Sequence, residues 1–343
     1  MNVLSLFNGM GTLRQAMHDL NIKVDNYYSS EIKPYAIELQ QYHFQDVIQV
    51  GDINNWKQWD IDWKTIDFIG SGSPCQDLSI AGNRAGINGS KSNLFFVFIE
   101  ILNHVKKLNP NVLFLQENVG SANKTDIGIM SRELGVYPVR INSNLLTAQN
   151  RDRYYWTNIR TKNTMFDLVT DIPQPKDKKI FIKDIIESGY VETEKANAIL
   201  ESQSRPVTSQ ESILKRDKKG FITAVREATK KGFIEVKENE CVDLSYPKSE
   251  TRRGRLMKDK SNALLRKNEY YLNKGEYLRQ LTQTELERLQ GFSDGYTSIL
   301  SYNKASSLLG DGWTLPIIKH ILSFLNGFEK ANVGGKKEKR CTD

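Results

Sequence analysis

A cysteine stands at position 75, inside Gly70-Ser71-Gly72-Ser73-Pro74-Cys75-Gln76-Asp77-Leu78-Ser79 and directly after the apolar run Ile66-Asp67-Phe68-Ile69. The run reads as a short buried strand, the glycines as a sharp turn, and Pro74 as a stiffener just before the thiol. Open α/β sheets place their chemistry at the carboxyl ends of their strands. A thiol there becomes a nucleophile when backbone N–H groups favour its thiolate. A free cysteine is otherwise a small core residue, so the assignment rests on what the chain sets around it. Glu117 follows the strand-like run Val112-Leu113-Phe114-Leu115, and a partly desolvated carboxyl there can hold or donate a proton. Arg151 and Arg153, in Gln149-Asn150-Arg151-Asp152-Arg153, share one side of an extended segment and suit a phosphate or a polar base edge.

These residues need a scaffold, and the N-terminal third supplies its pattern. Val3-Leu4-Ser5-Leu6-Phe7 reads as a first buried strand, followed by Asn8-Gly9-Met10-Gly11-Thr12 and a helix over residues 13–20. Strand, glycine turn, helix opens a nucleotide-binding α/β unit, although Arg14 stands where a dinucleotide fingerprint has its third glycine. A second strand, residues 24–30, ends in Glu31, twenty residues after Gly11, where an acid can hold ribose hydroxyls. A third, residues 47–50, runs into Gly51-Asp52-Ile53, where Asp52 can accept from an exocyclic amine or cap a turn. Side by side in a parallel sheet, Gly9/Gly11, Glu31 and Asp52 describe an adenosine site. A nicotinamide cofactor and S-adenosylmethionine both remain open, and the missing glycine leans toward the second. Residues 94–108 carry an apolar stripe at helical spacing, and residues 80–92 read as a polar, glycine-rich loop beside Cys75. Residues 138–146 and 154–159 read as the last two strands.

Composition limits the alternatives. The chain has 343 residues, 39% hydrophobic and 26% charged, which suits a globular protein with a sizeable core. No apolar run is long enough for a membrane helix and no signal peptide is legible, so a cytoplasmic protein is expected. Three dispersed cysteines suggest neither a disulfide framework nor a metal site. Net charge is +7, and residues 171–276, with 23 Lys+Arg against 18 Asp+Glu, hold most of the surplus. A polyanion is therefore a plausible partner. Short β-like pieces (residues 220–225 and 232–236) separated by charged turns occupy this region. Pro247-Lys248-Ser249-Glu250-Thr251-Arg252-Arg253-Gly254-Arg255 is its best phosphate or major-groove candidate.

The order Phe7-x-Gly9-x-Gly11, Glu31, Asp52, Pro74-Cys75-Gln76, Glu117-Asn118-Val119 and Gln149-x-Arg151-x-Arg153 resembles the DNA cytosine-5 methyltransferases. Arg279-Gln280-Leu281-Thr282-x-x-Glu285-x-x-Arg288-Leu289-Gln290-Gly291-Phe292 is similar to the family's ninth motif. Gly310-Asp311-Gly312-Trp313-Thr314-x-Pro316 is similar to its tenth, with Asp311 where Asn is usual. In motif style the chain looks most like the animal de novo enzymes and their phage and bacterial relatives. The resemblance implies a doubly wound, mostly parallel α/β methyltransferase sheet, built from residues 1–160 and 279–328. A small, irregular or β recognition domain would span 161–278, and a disordered tail 329–343. It implies S-adenosyl-L-methionine as cofactor, double-stranded DNA as substrate, no metal, and a monomer in a bacterial or phage-infected cell, with a cognate restriction enzyme as the further partner it allows.

By the same resemblance Cys75, Glu117, Arg151 and Arg153 are catalytic. The cofactor falls to Phe7, Asn8, Gly9, Met10, Gly11, Thr12, Glu31, Ile32, Asp52, Ile53, Leu94, Asp311, Gly312 and Trp313. DNA contacts fall to Gln76, Ser79, Arg84, Arg252, Arg253 and Arg255. The target atom is hidden in stacked DNA, so the base must be flipped out. The rivals are an RNA cytosine methyltransferase of the same fold and a non-catalytic DNA-binding relative. Against the latter stand Cys75, Glu117, Arg151 and Arg153, all present.

Overall fold

A computed structural model describes residues 1–73, 93–187, 223–246, 248–257, 260–264, 270–273 and 278–325. The expectations placed on Cys75, Gln76, Ser79, Arg84, residues 80–92 and the tail 329–343 lie outside the described residues. The framework is a seven-stranded sheet whose members all come from the first half of the chain. They are β1 (Asn2–Leu6), β2 (Asn26–Ser30), β3 (Val47–Gln49), β4 (Ile66–Ser71), β5 (Leu113–Val119) and β6 (Val139–Asn142). The two-residue β7 (Gln149–Asn150) lies outside this sheet, and β8 (Asp152–Thr157) completes it. The order is β3-β2-β1-β4-β5-β8-β6, and only β8 runs against its neighbours. The chain moves outward from β1 through β2 to β3, then returns to place β4 on the other side of β1. That reversal between β1 and β4 is a topological switch point, where such sheets open a crevice for ligands.

A parallel sheet is buried on both faces, so its strands carry apolar residues at successive positions. Val3, Phe68, Leu115 and Tyr155 join one cluster, with Leu13, Ala16 and Met17 of α1 (Thr12–Asp19) and Leu39 of α2 (Pro34–His43). Leu4, Ile69, Phe114 and Trp156 point the other way. They meet Phe98, Ile101, Leu102 and Val105 of α3 (Asn93–Leu108) and Met130 and Leu134 of α4 (Lys124–Leu134). Pro34 opens α2, where its missing N–H costs nothing. The Asn123 side chain caps α4, which ends at Gly135 with φ 74°.

The C-terminal helices α5 (Gln283–Gln290), α6 (Tyr302–Asp311) and α7 (Leu315–Leu322) return to the first cluster. Thr282 and Glu285 form the capping box that their spacing predicts. Leu315, Ile317, Ile318, Ile321 and Leu322 are all buried, and α7 lies against α1, where Lys319 meets Asp19 at 2.7 Å. The end of the described chain thus closes the sheet that its beginning opens.

Several element boundaries differ from the sequence reading, two of them near the cavity. The sheet partner expected at 138–146 stops at Asn142, because Ser143–Leu145 turns as a 3₁₀ helix capped by the Asn142 side chain. Glu117 lies within β5 rather than just beyond it. The hairpin Thr161–Asn163/Leu168–Thr170 is stitched to the sheet side, with Tyr137 N–H donating to Leu168 O and Thr170 N–H to Tyr137 O. Beyond it, Thr223–Arg226 and Phe233–Val236 pair as an antiparallel hairpin. The strands Arg255–Met257, Cys241–Asp243, Tyr270–Asn273 and Leu278–Gln280 form a second, antiparallel sheet. Val225, Val236, Val242, Leu244 and Tyr271 give these strands a small core of their own.

Candidate active site

The carboxyl ends of β1 to β5 converge on one cavity of about 360 Å³, within the size range of small-molecule sites. β1 leaves the sheet through a loop in which Phe7, Gly9 and Gly11 all have positive φ, at 56°, 56° and 81°. Phe7 is the costly one, since a side chain strains there while glycine does not. Glu31, at the end of β2, turns its carboxylate back across this loop. It accepts from Gly9 N at 2.8 Å, and from Ile32 N and Lys33 N at 2.8 and 2.9 Å. One side chain therefore fastens the β1 loop and the entrance of α2. Asp52 caps the 3₁₀ turn that follows β3, accepting from Asn54 N at 2.9 Å.

Phe7, Asn8, Gly9, Thr12, Glu31, Ile32, Asp52, Ile53, Leu94, Asp311, Gly312 and Trp313 all line the cavity, together with Glu117, Arg151 and Arg153. Met10 and Gly11 stand behind the wall: Met10 is fully buried, and the Tyr296 hydroxyl donates to its carbonyl at 2.9 Å. The lining also holds Lys33, which the sequence reading missed. Its ammonium pairs with Asp311 at 2.8 Å across 278 residues of chain, which no local pattern signals. Gly72 completes the wall. A Cβ there would stand 2.7 Å from Trp313 Nε1, so the indole lies against the exit of β4 only because residue 72 has no side chain.

At the other end of the cavity, β5 and β8 bring an acid and a base together. Glu117 stands opposite Tyr155 in the antiparallel register, which makes Arg153 its diagonal neighbour on the same face. Arg153 Nε lies 2.7 Å from Glu117 Oε1, and both side chains are nearly buried, at 14% and 12% exposure. Burial raises the Tyr155 hydroxyl well above its ordinary pKa, and the adjacent Glu117 charge adds to the shift. Arg151 also lines the cavity, but its partners are main-chain groups. Its guanidinium is buried and donates to three main-chain carbonyls: Leu264 at 3.3 Å, Gly310 at 3.1 Å and Gly312 at 2.9 Å. It ties the turn after α6 and the segment 260–264 to the sheet. Cys75 lies outside the described residues; Ser73, two positions before it, lines the cavity.

A family model, C-5 cytosine-specific DNA methylase, matches residues 1–326. The chain belongs to the C-5 cytosine-specific DNA methylases. Among curated proteins, the Type II methyltransferase M1.ScrFI of Lactococcus lactis subsp. cremoris is 27% identical over 333 residues, 93% of this chain and 76% of that protein. The orphan methyltransferase M.SPRI of Bacillus phage SPR is 30% identical over 204 residues, 55% of this chain and 43% of that protein. The chain thus spans less than half the length of that phage relative. Among solved structures, the Entamoeba histolytica methyltransferase EhMeth superposes with a TM-score of 0.56 at 18% identity, covering 95% of this chain and 97% of that one. At that identity the likeness concerns the fold: a methyltransferase sheet of mixed α/β type.

In this methylase the three candidate recognition arginines are not equivalent. Arg255 forms an ion pair with the fully buried Asp243, which also accepts from Ser245 N at 2.9 Å. Arg253 Nε donates to Glu227 O at 3.2 Å. Arg252 lies over the Tyr246 ring, 4.3 Å from its centroid. All three are partly exposed, and Arg255 is the one most committed to holding its own sheet together.

Proposed function

We propose that this methylase transfers a methyl group from S-adenosyl-L-methionine to carbon 5 of a flipped-out cytosine in double-stranded DNA. The observation that supports it is the single cavity, with the Glu31 and Asp52 carboxylates at one end and the Glu117–Arg153 pair at the other. The lining fits the cofactor. Phe7, Ile32, Ile53 and Trp313 offer apolar and aromatic surface to an adenine, Glu31 offers acceptors to ribose hydroxyls, and Asp52 an acceptor to the adenine amine. Bound there, S-adenosylmethionine supplies an electrophilic methyl group on a sulfonium. Cytosine carbon 5 is too weak a nucleophile to take it unaided. The Cys75 thiolate adds to carbon 6 of the base, which enriches carbon 5 in electrons. Glu117 hydrogen-bonds ring N3 and the exocyclic amine and stabilises the protonated ring, while Arg153 fixes that carboxylate and faces the base oxygen. Carbon 5 would take the methyl group as the methyl–sulfur bond breaks; a base would then accept the carbon 5 proton, the C–H electron pair would restore the 5,6 double bond, and the Cys75 thiolate would leave carbon 6.

Residues 1–160, extended by the hairpin to 170, together with 279–328 form the catalytic part in this reading, and the intervening strands read the DNA. Arg252 and Arg253 are the better placed of the three arginines for phosphate. The protein acts as a monomer in the cytoplasm of a bacterial or phage-infected cell, beside a cognate restriction enzyme where one exists. Bisulfite sequencing of DNA from cells expressing wild type or Cys75→Ala tests the reading. Conversion-resistant cytosines at a recurring motif, with wild type only, are expected. A folded, cofactor-binding wild type that protects no cytosine would overturn the DNA assignment and turn attention to RNA.

A further inference from the structure

From Ser5 and Asn8 in the cavity wall a buried polar network runs inward to a residue that the proposed chemistry does not use. Asn8 Oδ1 accepts from the Ser5 hydroxyl at 2.7 Å and the Tyr27 hydroxyl at 3.0 Å, and Asn8 Nδ2 donates to Ser29 Oγ at 3.0 Å. Ser29 passes its own proton on to Gln40 Oε1 at 2.8 Å, which also accepts from Gln49 Nε2 at 2.8 Å. Gln40 Nε2 then donates to the carbonyl of Gly9 at 2.6 Å. Gln40 is completely buried in α2 and stands outside the cavity lining. An amide sealed from water costs about 1–3 kcal/mol unless it is hydrogen-bonded, so its place in the core needs its partners.

The partner that matters is Gly9. Its N–H is held by Glu31 and its carbonyl by Gln40, in a loop where Phe7 is strained and Gly9 sits in the left-handed region. Strained backbone persists only where its surroundings over-determine it. We propose that Gln40 is a positioning residue for the cofactor. It pins the Gly9 carbonyl so that the Phe7–Gly11 loop holds its ligand-ready shape before S-adenosylmethionine arrives. The inference rests on the cofactor site proposed above and names a residue that touches neither cofactor nor base.

Gln40→Glu separates this role from mere packing. An ionised Glu keeps the shape and both acceptor contacts but cannot donate to Gly9; a protonated Glu can. Buried carboxyls titrate as high as about pH 8–9, so the donor should vanish near pH 9 and return near pH 6. The charged and titratable groups around the network are Arg14 with its partner Asp46, Tyr27, Glu31, His43 and Tyr296. Burial keeps both tyrosine hydroxyls protonated throughout this range. Titrating S-adenosylmethionine calorimetrically into wild type and variant at each pH, and taking the ratio of their Kd values, cancels the shared groups.

The expected ratio is about tenfold or more near pH 9, the loss of one hydrogen bond's worth of pre-organisation, closing toward one near pH 6. Gln40→Met, which can never donate, should stay weak at both. The same ratio at both pH values for Gln40→Glu, or wild-type affinity in folded Gln40→Met, would overturn the proposal. Failure of wild type itself to bind would instead overturn the cofactor reading.

Discussion

Arg151→Ala is the sharpest probe of how this site is held together. Were Arg151 a DNA or base contact, its loss would cost turnover and leave the fold alone. The structure gives it three buried carbonyls instead, from Leu264, Gly310 and Gly312. Gly312 O keeps a long contact from Gln290 Nε2 at 3.4 Å, while the Leu264 and Gly310 carbonyls lose the Arg151 donor. A buried acceptor left unmet costs about 1–3 kcal/mol, and the vacated guanidinium leaves a cavity besides. About 3–5 kcal/mol of lost stability follows, a large share of the roughly 5–15 kcal/mol available to a folded domain. Arg151→Lys keeps the charge but not the fork, and about half that loss is expected. Urea unfolding followed by circular dichroism gives the stabilities. Because Gly310–Gly312 leads into Trp313, S-adenosylmethionine affinity should fall with them. If Arg151→Ala unfolds within about 1 kcal/mol of wild type and binds cofactor normally, while losing only DNA-dependent turnover, the reasoning fails.

Three further predictions concern the frame and the cavity wall. Burial pushes the Asp19 carboxyl up, but hydrogen bonds from Lys319 and Gln15 outweigh it and hold its pKa below the ordinary value. Its contribution is therefore complete above the unfolded carboxyl's pKa and is lost as pH falls through the lower folded one. Asp19→Asn should cost about 0.5–1 kcal/mol at neutral pH for this partly exposed pair. The stability gap between the two proteins should shrink as pH falls below the ordinary carboxylate range and through the lowered Asp19 pKa, and a gap that does not change with acidification would refute the ion pair as its source. Gly312→Ala would place a Cβ 2.9 Å from the Leu308 carbonyl and 2.3 Å from Met10 Cε. Cofactor affinity should drop at least about tenfold, as a shift of roughly 1.4 kcal/mol does. Gly128→Ala, mid-helix in α4 with nothing within 4 Å, should instead stabilise by about 0.5–1 kcal/mol. Thermal melts and cofactor titrations of the pair check both.

What the sequence disclosed and what it hid divide along one physical line. β1, β4 and the start of β5 are legible because a parallel sheet buries both faces and so writes continuous apolar runs, whereas β2, Asn-Tyr-Tyr-Ser-Ser, buries two serines and carries a weaker signal. The residues just past those runs, Gly9, Glu31 and Asp52, inherit their position from the strands and need no further information. α4 and α6 were not anticipated, because their buried sides are small and mixed with polar residues: Asp126, Met130, Ser131 and Leu134 in one, Ala305, Ser306, Leu308 and Leu309 in the other. Lys33, Gln40 and Arg151 defeat sequence reasoning for a stronger reason. Each has a type that usually faces water, and its meaning here comes from a partner the chain delivers from elsewhere: Asp311, the Gly9 carbonyl, or three carbonyls beyond residue 260.

Arg151 and Arg153, which their spacing treats as a pair, are held in different ways. Both line the same cavity, yet Arg153 pairs with Glu117 and Arg151 donates to the carbonyls of Leu264, Gly310 and Gly312. A motif records that two arginines are needed. Only the distribution of acceptors around them separates one from the other. The same reasoning makes Arg255, locked to buried Asp243, the weakest of the recognition candidates, although nothing in Arg252-Arg253-Gly254-Arg255 distinguishes it.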